Sequence, residues 1–372
     1  MEGKKTREMT LIMNKCNLRR KYIEVFLICL FIGGCSRTTI IDDVKIIQTL
    51  GYDLENNKIK GTASYPVYVK SMQESHPRKL FTSESNTTTG VFTSFSNQTA
   101  HKIDMSQLGS VLVSENFAEN GISDLIGNLN SDPNISSNST LIISNKPASE
   151  LLEESMDYPP YFLSSVLDQS MRNGNVPFSN LHTISYQYYS EGQDIYIPKM
   201  DINEEGMIVS DGVGVFKGDK FALSLNNKES LMLKILVDKI GFNSTYEFTK
   251  SDNKSLLIKI VSNHNNSVVE INNSKVTYNF KLNVYLKEQA SKLSGADINN
   301  KLTKEIETNI ETELKNLLER LKNEEVDPVG VGELFRGVQR NWKKNAFYDR
   351  VYPNVKFNIT ANVNIVNTGA AK

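Results

Sequence analysis

The strongest constraint on the fold lies in the last hundred residues. Val276, Tyr278, Phe280, Leu282, Val284 and Leu286 alternate with Lys275, Thr277, Asn279, Lys281, Asn283 and Tyr285. Val355, Phe357, Ile359, Ala361, Val363 and Ile365 do the same against Lys356, Asn358, Thr360, Asn362 and Asn364. A strict period of two over this length specifies strands with one face on a core and the other in water. Between them, Leu302, Ile306, Ile310, Leu314, Leu317, Leu318 and Leu321 fall at three- and four-residue spacings. They form one apolar stripe on a helix of about six turns. Glu311 and Lys315 are expected to pair on its wet side. Such a helix has to lie across the sheet made by the two strands, and Asp327-Pro328 ends it.

Upstream, strands and helices alternate. Val44 to Asp53 reads as a mostly buried strand running into a turn. Lys58 to Lys70 reads as its hairpin partner through Glu55-Asn56-Asn57. Residues 71–100, rich in Ser, Thr and Asn, read as a surface loop or weak strands. Met105 to Glu119 is a strand followed by a helix that Asn120-Gly121 stops. Ile122 to Leu129 forms a short helix broken at Asn130-Ser131-Asp132-Pro133. Leu141 to Ser144 is a short central strand. Helices are expected from Ala148 to Glu154 and from Tyr161 to Met171. A boundary is expected near Ile197-Pro198-Lys199-Met200. Beyond it come a hairpin around Val209 to Phe216, turning at Lys217-Gly218-Asp219-Lys220, and a helix from Asn227 to Ile240.

The N-terminus has the parts of a secretory signal. Lys15, Arg19, Arg20 and Lys21 precede the apolar run Val25 to Ile32, and small residues follow at Gly33-Gly34. About eight apolar residues at 1.5 Å each fall far short of the ~20 that a spanning helix needs. Ile32-Gly33-Gly34-Cys35 resembles the lipobox of bacterial lipoproteins. That resemblance implies a diacylglycerol on the sulfur of Cys35 and cleavage before it. An uncleaved buried N-terminal helix is the plainer alternative.

Removing residues 1–34 takes away seven Lys/Arg and three Asp/Glu, which leaves 35 basic and 40 acidic residues and a net charge of −5. That mild acidity gives no electrostatic basis for nucleic acid binding. Cys16 and Cys29 lie in the signal, so only Cys35 persists and stability has to come from burial. The Asn-Xaa-Ser/Thr triplets at Asn86, Asn97, Asn134, Asn138, Asn243 and Asn358 are chance products of an Asn-rich composition.

Candidate chemistry is sparse. His76, His101, His182 and His264 share no metal-ligand spacing. No Gly-x-Ser-x-Gly elbow occurs, and the adjacent pairs Glu204-Glu205 and Glu324-Glu325 read as solvated charge. Val329-Gly330-Val331-Gly332 superficially has the glycines of a phosphate loop. It follows a helix, whereas such a loop leaves a strand, so a glycine-rich turn is the better reading. Trp342 is either a ring packed under the C-terminal helix end or a docking aromatic. No catalytic residue, cofactor site or metal ligand is assigned.

Several of these pieces together resemble the Ger(x)C family, the C-subunit lipoproteins of spore germinant receptors. The tail carries Val326-Asp327-Pro328-Val329-Gly330-Val331-Gly332, Trp342-Lys343-Lys344 and Tyr352-Pro353-Asn354-Val355, with the last strand ending at Thr368-Gly369. Earlier matches are Gly51-Tyr52-Asp53, Ala118-Glu119-Asn120-Gly121-Ile122, Ser131-Asp132-Pro133 and Gly214 to Lys220. Departures are Ser36-Arg37-Thr38 after the cysteine and Tyr348 where the family has a second tail tryptophan. The Ser/Thr-rich stretch 82–100 has no clear counterpart.

The resulting expectation is an α+β protein with mixed and antiparallel sheets, packed helices and a long helix across the C-terminal sheet. Residues 1–34 are a lipoprotein signal peptide, 35–196 an N-terminal α/β domain, 197–245 a small ββα unit and 246–372 a C-terminal α+β domain. The resemblance implies a non-catalytic subunit that serves nutrient-triggered germination. It would be lipid-anchored through Cys35 on the outer face of the spore inner membrane, beside membrane-embedded A and B subunits. A solute-binding lipoprotein of a transporter and a lipid-tethered wall hydrolase are the alternatives. The first needs two like lobes around a cleft, the second a carboxylate or metal constellation.

Overall fold

The computed structural model describes residues 44–67, 78–238, 244–249, 255–286 and 296–367. The signal segment, Cys35, His76 and the Thr368-Gly369 end of the tail motif lie outside them. Strands are numbered β1 (Val44–Ile46), β2 (Thr49–Glu55), β3 (Lys58–Pro66), β4 (Arg78–Ser85), β5 (Lys102–Asp104), β6 (Ser110–Ser114) and β7 (Thr140–Ser144). They continue as β8 (Tyr196–Ile202), β9 (Ile208–Lys217), β10 (Lys220–Leu225), β11 (Ser244–Thr249), β12 (Ser255–Glu270), β13 (Lys275–Leu286) and β14 (Lys356–Asn367). The expected α+β class, with mixed sheets and packed helices, is what the chain adopts.

The larger sheet has eight strands in the order β10-β9-β8-β7-β6-β2-β3-β4. Its centre, β2-β6-β7-β8, is parallel, and both flanks are antiparallel. Strands β6 and β7 are buried at every residue, as parallel strands covered on both faces should be. Alternate residues serve different cores. Leu112 and Ile142 join one apolar cluster, while Val111, Val113, Leu141 and Ile143 join the other. The boundary expected near Ile197 falls inside β8, and the β9–β10 hairpin is hydrogen-bonded onto β8 as the far flank of this sheet. The reason is visible in β8 itself: Tyr196 to Met200 is buried throughout, so its open edge needs a partner strand.

Residues 78–96 correct the expectation of a loop or weak strands. Arg78–Ser85 pairs along the full length of β3, and Thr88–Ser96 is a helix. Thr87 caps that helix by accepting the Gly90 N–H, and Val91 and Phe95 dock onto β3. Gly61 makes the approach possible, because a Cβ there would lie 2.0 Å from Val91 Cγ1. Two apolar residues four apart are too weak a pattern to read among Ser and Thr, yet they suffice once packed. A second unexpected helix, Leu181–Tyr189, starts at an Asn180/Thr183 capping box. The Asn56-Asn57 turn between β2 and β3 has φ of 50° and 62°, which Asn tolerates.

Strands β1 and β5 form a two-stranded sheet of their own, and a four-stranded sheet has the order β11-β12-β13-β14. Strands β11 and β12 went unrecognised in the sequence. Strand β13 pairs with β12 antiparallel and with β14 in parallel. Parallel pairing requires a crossover, and the helix Ala296–Asn323 supplies it. Leu302, Ile306, Ile310, Leu314, Leu317, Leu318 and Leu321 are all buried, as the stripe demands. Glu311 does not pair with Lys315. Its Oε1 accepts the Ala361 N–H at 2.8 Å, and Glu307 Oε1 accepts that of Val363 at 2.9 Å. Two carboxylates one turn apart thus satisfy two successive outward amides of edge strand β14, which would otherwise invite another strand.

Candidate functional site

The glycine-rich turn after the long helix gathers four hydrogen bonds onto one buried carboxylate. Asp327 is fully buried. Its Oδ1 accepts the N–H groups of Gly330 (2.9 Å) and Val331 (2.8 Å), and its Oδ2 accepts that of Gly332 (2.7 Å). The Tyr348 hydroxyl donates to Oδ2 at 3.0 Å. Gly330 has φ 80°, a left-handed turn that aims these amides inward and opens the helix Val331–Val338. The turn is therefore a nest for the chain's own carboxylate, consistent with the glycine-rich turn expected from its order in the sequence.

The same turn clamps a distant loop. Asp194 Oδ2 accepts the Asp327 N–H (2.7 Å), and the Asp194 N–H donates to the Asp327 carbonyl (2.9 Å). Glu333 N–H donates to Gly192 O at 2.9 Å, and Gln193 Nε2 to Pro328 O at 2.8 Å. Glycine is required at both contact points. A Cβ on Gly192 would sit 2.5 Å from the Glu333 nitrogen, and one on Gly332 2.5 Å from the Tyr348 hydroxyl. Tyr352 closes the knot from below by donating to Val326 O at 2.6 Å.

Electrostatics here follow burial. Desolvation pushes the Asp327 carboxyl up to about 8, against the pull of the Gly332 and Val331 amides, and neighbouring Asp194 adds to the rise. Desolvation also raises Asp194, opposed by the amides of Asp327 and Gly218. The Tyr348 phenol is raised by burial and then by Asp327. A carboxyl whose folded pKa exceeds its unfolded value stabilises most below about 4, and that contribution is lost as pH rises through its folded pKa. Stability should therefore fall between about pH 4 and pH 8. Urea titrations at pH 5 and pH 8 should show the lower midpoint at pH 8, with a smaller difference in Asp327→Asn.

The other sequence motifs do similar work. Asp53 of Gly51-Tyr52-Asp53 is buried at the carboxyl end of β2, and its carboxylate accepts the N–H groups of Ala148 (2.6 Å) and Ser149 (3.0 Å). In open α/β sheets that crevice is where anionic ligands settle on a helix N-terminus. Here the chain's own carboxylate fills it. Gly121, at φ 118°, ends the helix Glu115–Asn120, and Ile122 N–H then bonds Asp219 O at 2.9 Å. The Ala118–Ile122 motif thus grips the turn of the Gly214–Lys220 motif.

The remaining candidates are scattered. Trp342 is partly buried with its ring 5.8 Å from that of Phe347, the packed arrangement. Glu325 is exposed and pairs with Lys217 at 2.5 Å. Among the described residues no group of three or more His, Cys, Asp or Glu side chains is placed to hold a metal ion. No described helix is long and apolar enough to cross a membrane. The roles of Asp194 and Asp327 were not read from the sequence. An aspartate just before Pro-x-Gly-x-Gly was the available signal, and its helix-breaking neighbour masked it.

These linked motifs coincide with two family models. Residues 37–202 match the spore germination protein N-terminal domain, and residues 211–369 match the spore germination B3/GerAC-like C-terminal domain. The chain belongs to the Ger(x)C family. Among its relatives is the spore germination protein GerQC of Bacillus cereus, 26% identical over 364 residues, covering 95% of this chain and all of that protein. The crystal structure of the GerBC protein shares the fold, with a TM-score of 0.56 at 17% identity over 86% of this chain and 97% of GerBC. Membership makes this a germinant-receptor C-subunit-type protein with a role in spore germination.

Proposed function

We propose that this Ger(x)C chain is a lipid-anchored, non-catalytic subunit of a nutrient germinant receptor. It would be held on the outer face of the spore inner membrane through Cys35 and docked to membrane-embedded A and B subunits. The supporting observation is where the buried polar groups are used. Asp327, Asp194 and Asp53 each spend their carboxylates on backbone N–H groups of the chain itself. Groups of that kind hold a scaffold rigid and are committed before any substrate arrives. The signal-like segment ending at Gly33-Gly34-Cys35 supplies the anchor. A diacylated or triacylated cysteine brings the two or more chains that stable membrane attachment needs.

The reading is tested by mild-detergent extraction of spore inner membranes carrying an affinity-tagged version of the protein. The A and B subunits should co-purify with it. Recovery of the tagged chain alone, in a detergent that keeps other membrane complexes intact, would count against the assembly.

A further inference from the structure

A cavity of about 610 Å³ opens at the amino ends of β6 and β7, the end of the sheet opposite Asp53. The helix Phe162–Asn173 forms one wall and residues 178–180 another. Its size falls within the roughly 300–1,000 Å³ of small-molecule sites. The lining is rich in hydroxyls and amides, among them Ser136, Asn138, Ser165, Gln169 and Asn180. Its two charged side chains cancel: Arg172 Nε donates to both carboxylate oxygens of Asp168 at 2.7 and 2.8 Å.

The geometry favours one ligand chemistry. Asp168 and Arg172 are exposed and neutralise each other, so the lining presents no net charge that would select an anion or a cation. A ring at the rim adds a second requirement. Phe178 is 49% exposed, yet its backbone is pinned, its N–H donating to Asp238 Oδ1 at 3.4 Å and its carbonyl accepting from the Tyr196 hydroxyl at 3.2 Å. Asn180 is oriented by its helix cap, where its Oδ1 accepts the Thr183 N–H at 2.9 Å, and its Nδ2 lies 3.5 Å from Asn138 Oδ1. Asn138 and Ser165 are exposed in this lining, so their amide and hydroxyl are accessible to a ligand. A sugar matches this set. It is neutral, its hydroxyls both donate and accept, and its C–H face stacks on an aromatic ring.

We propose that this cavity binds a neutral saccharide, its ring against Phe178 and its hydroxyls on Asn138, Ser165 and Asn180. The inference is independent of assembly with A and B subunits, since a lone chain would show it. The test is ligand-observed NMR and calorimetry on the purified full-length chain in detergent, with D-glucose, N-acetylglucosamine, its β-1,4 trisaccharide and L-alanine. Millimolar binding of a saccharide is expected, weakened about tenfold or more in Phe178→Ala and Asn138→Ala and unchanged in Tyr285→Ala. Tighter binding of the trisaccharide would identify a glycan chain as the source, and equal binding a free sugar. Binding of L-alanine alone, of no sugar at all, or of sugar undiminished in Phe178→Ala would each overturn the proposal.

Discussion

Asp327→Ala should lower the unfolding free energy by about 3–5 kcal/mol. The substitution strips acceptors from three buried N–H groups, and a buried donor left unpaired costs about 1–3 kcal/mol. Partial relaxation of the Gly330 turn holds the total below the simple sum. Asp327→Asn should cost less, about 1–3 kcal/mol above pH 8, where the carboxyl is ionised. Its Oδ1 still serves Gly330 and Val331, and its Nδ2 can donate to the Tyr348 hydroxyl, so only the Gly332 N–H meets another donor. Urea denaturation of the three proteins gives the ranking directly. Limited proteolysis should also cut the 190–194 loop faster in Asp327→Ala, because that loop is held by Asp327, Pro328 and Glu333. Equal stability of Asp327→Ala and the parent would show that the knot contributes nothing.

Cys35→Ala should have the second large effect, on location and not on folding. Without a thiol at position 35 there is no sulfur to acylate. The described fold starts at residue 44 and contains no cysteine, so its stability should be unchanged. The substituted protein should take up no labelled acyl chain, leave the spore inner-membrane fraction and support little nutrient-triggered germination. Normal acyl labelling of Cys35→Ala would remove the lipidation assignment. Normal labelling loss with full germination would show that docking to partners holds the protein without its lipid.

How legible was this in the sequence? Where burial is one-sided and regular, the reading was sound. The 276–286 and 355–365 alternations and the 302–321 stripe became β13, β14 and the crossover helix. Failures arose where polar residues occupy core-facing or cap positions. In β12, Asn263 is buried because its amide donates to the carbonyls of Ile235 and Asp238. An asparagine that caps a helix from a strand breaks the period-two pattern on which recognition relies. The helix Thr88–Ser96 was hidden for a related reason, since Gly61 and not helical periodicity makes room for it. Position 348 illustrates a milder case. From the sequence Tyr348 reads only as a departure from an expected tryptophan, yet its hydroxyl donates to the Asp327 carboxylate. The motifs were visible as spacings, but only their three-dimensional pairing shows that each fastens two distant parts of the chain.

The most direct test of the receptor reading is germination of spores from a strain lacking this gene. The fall in optical density after adding nutrients would be followed, with calcium dipicolinate as a trigger that bypasses the receptor. Loss of the nutrient response with a normal calcium dipicolinate response is the predicted result. A full nutrient response, persisting after every parallel receptor is also deleted, would contradict the assignment.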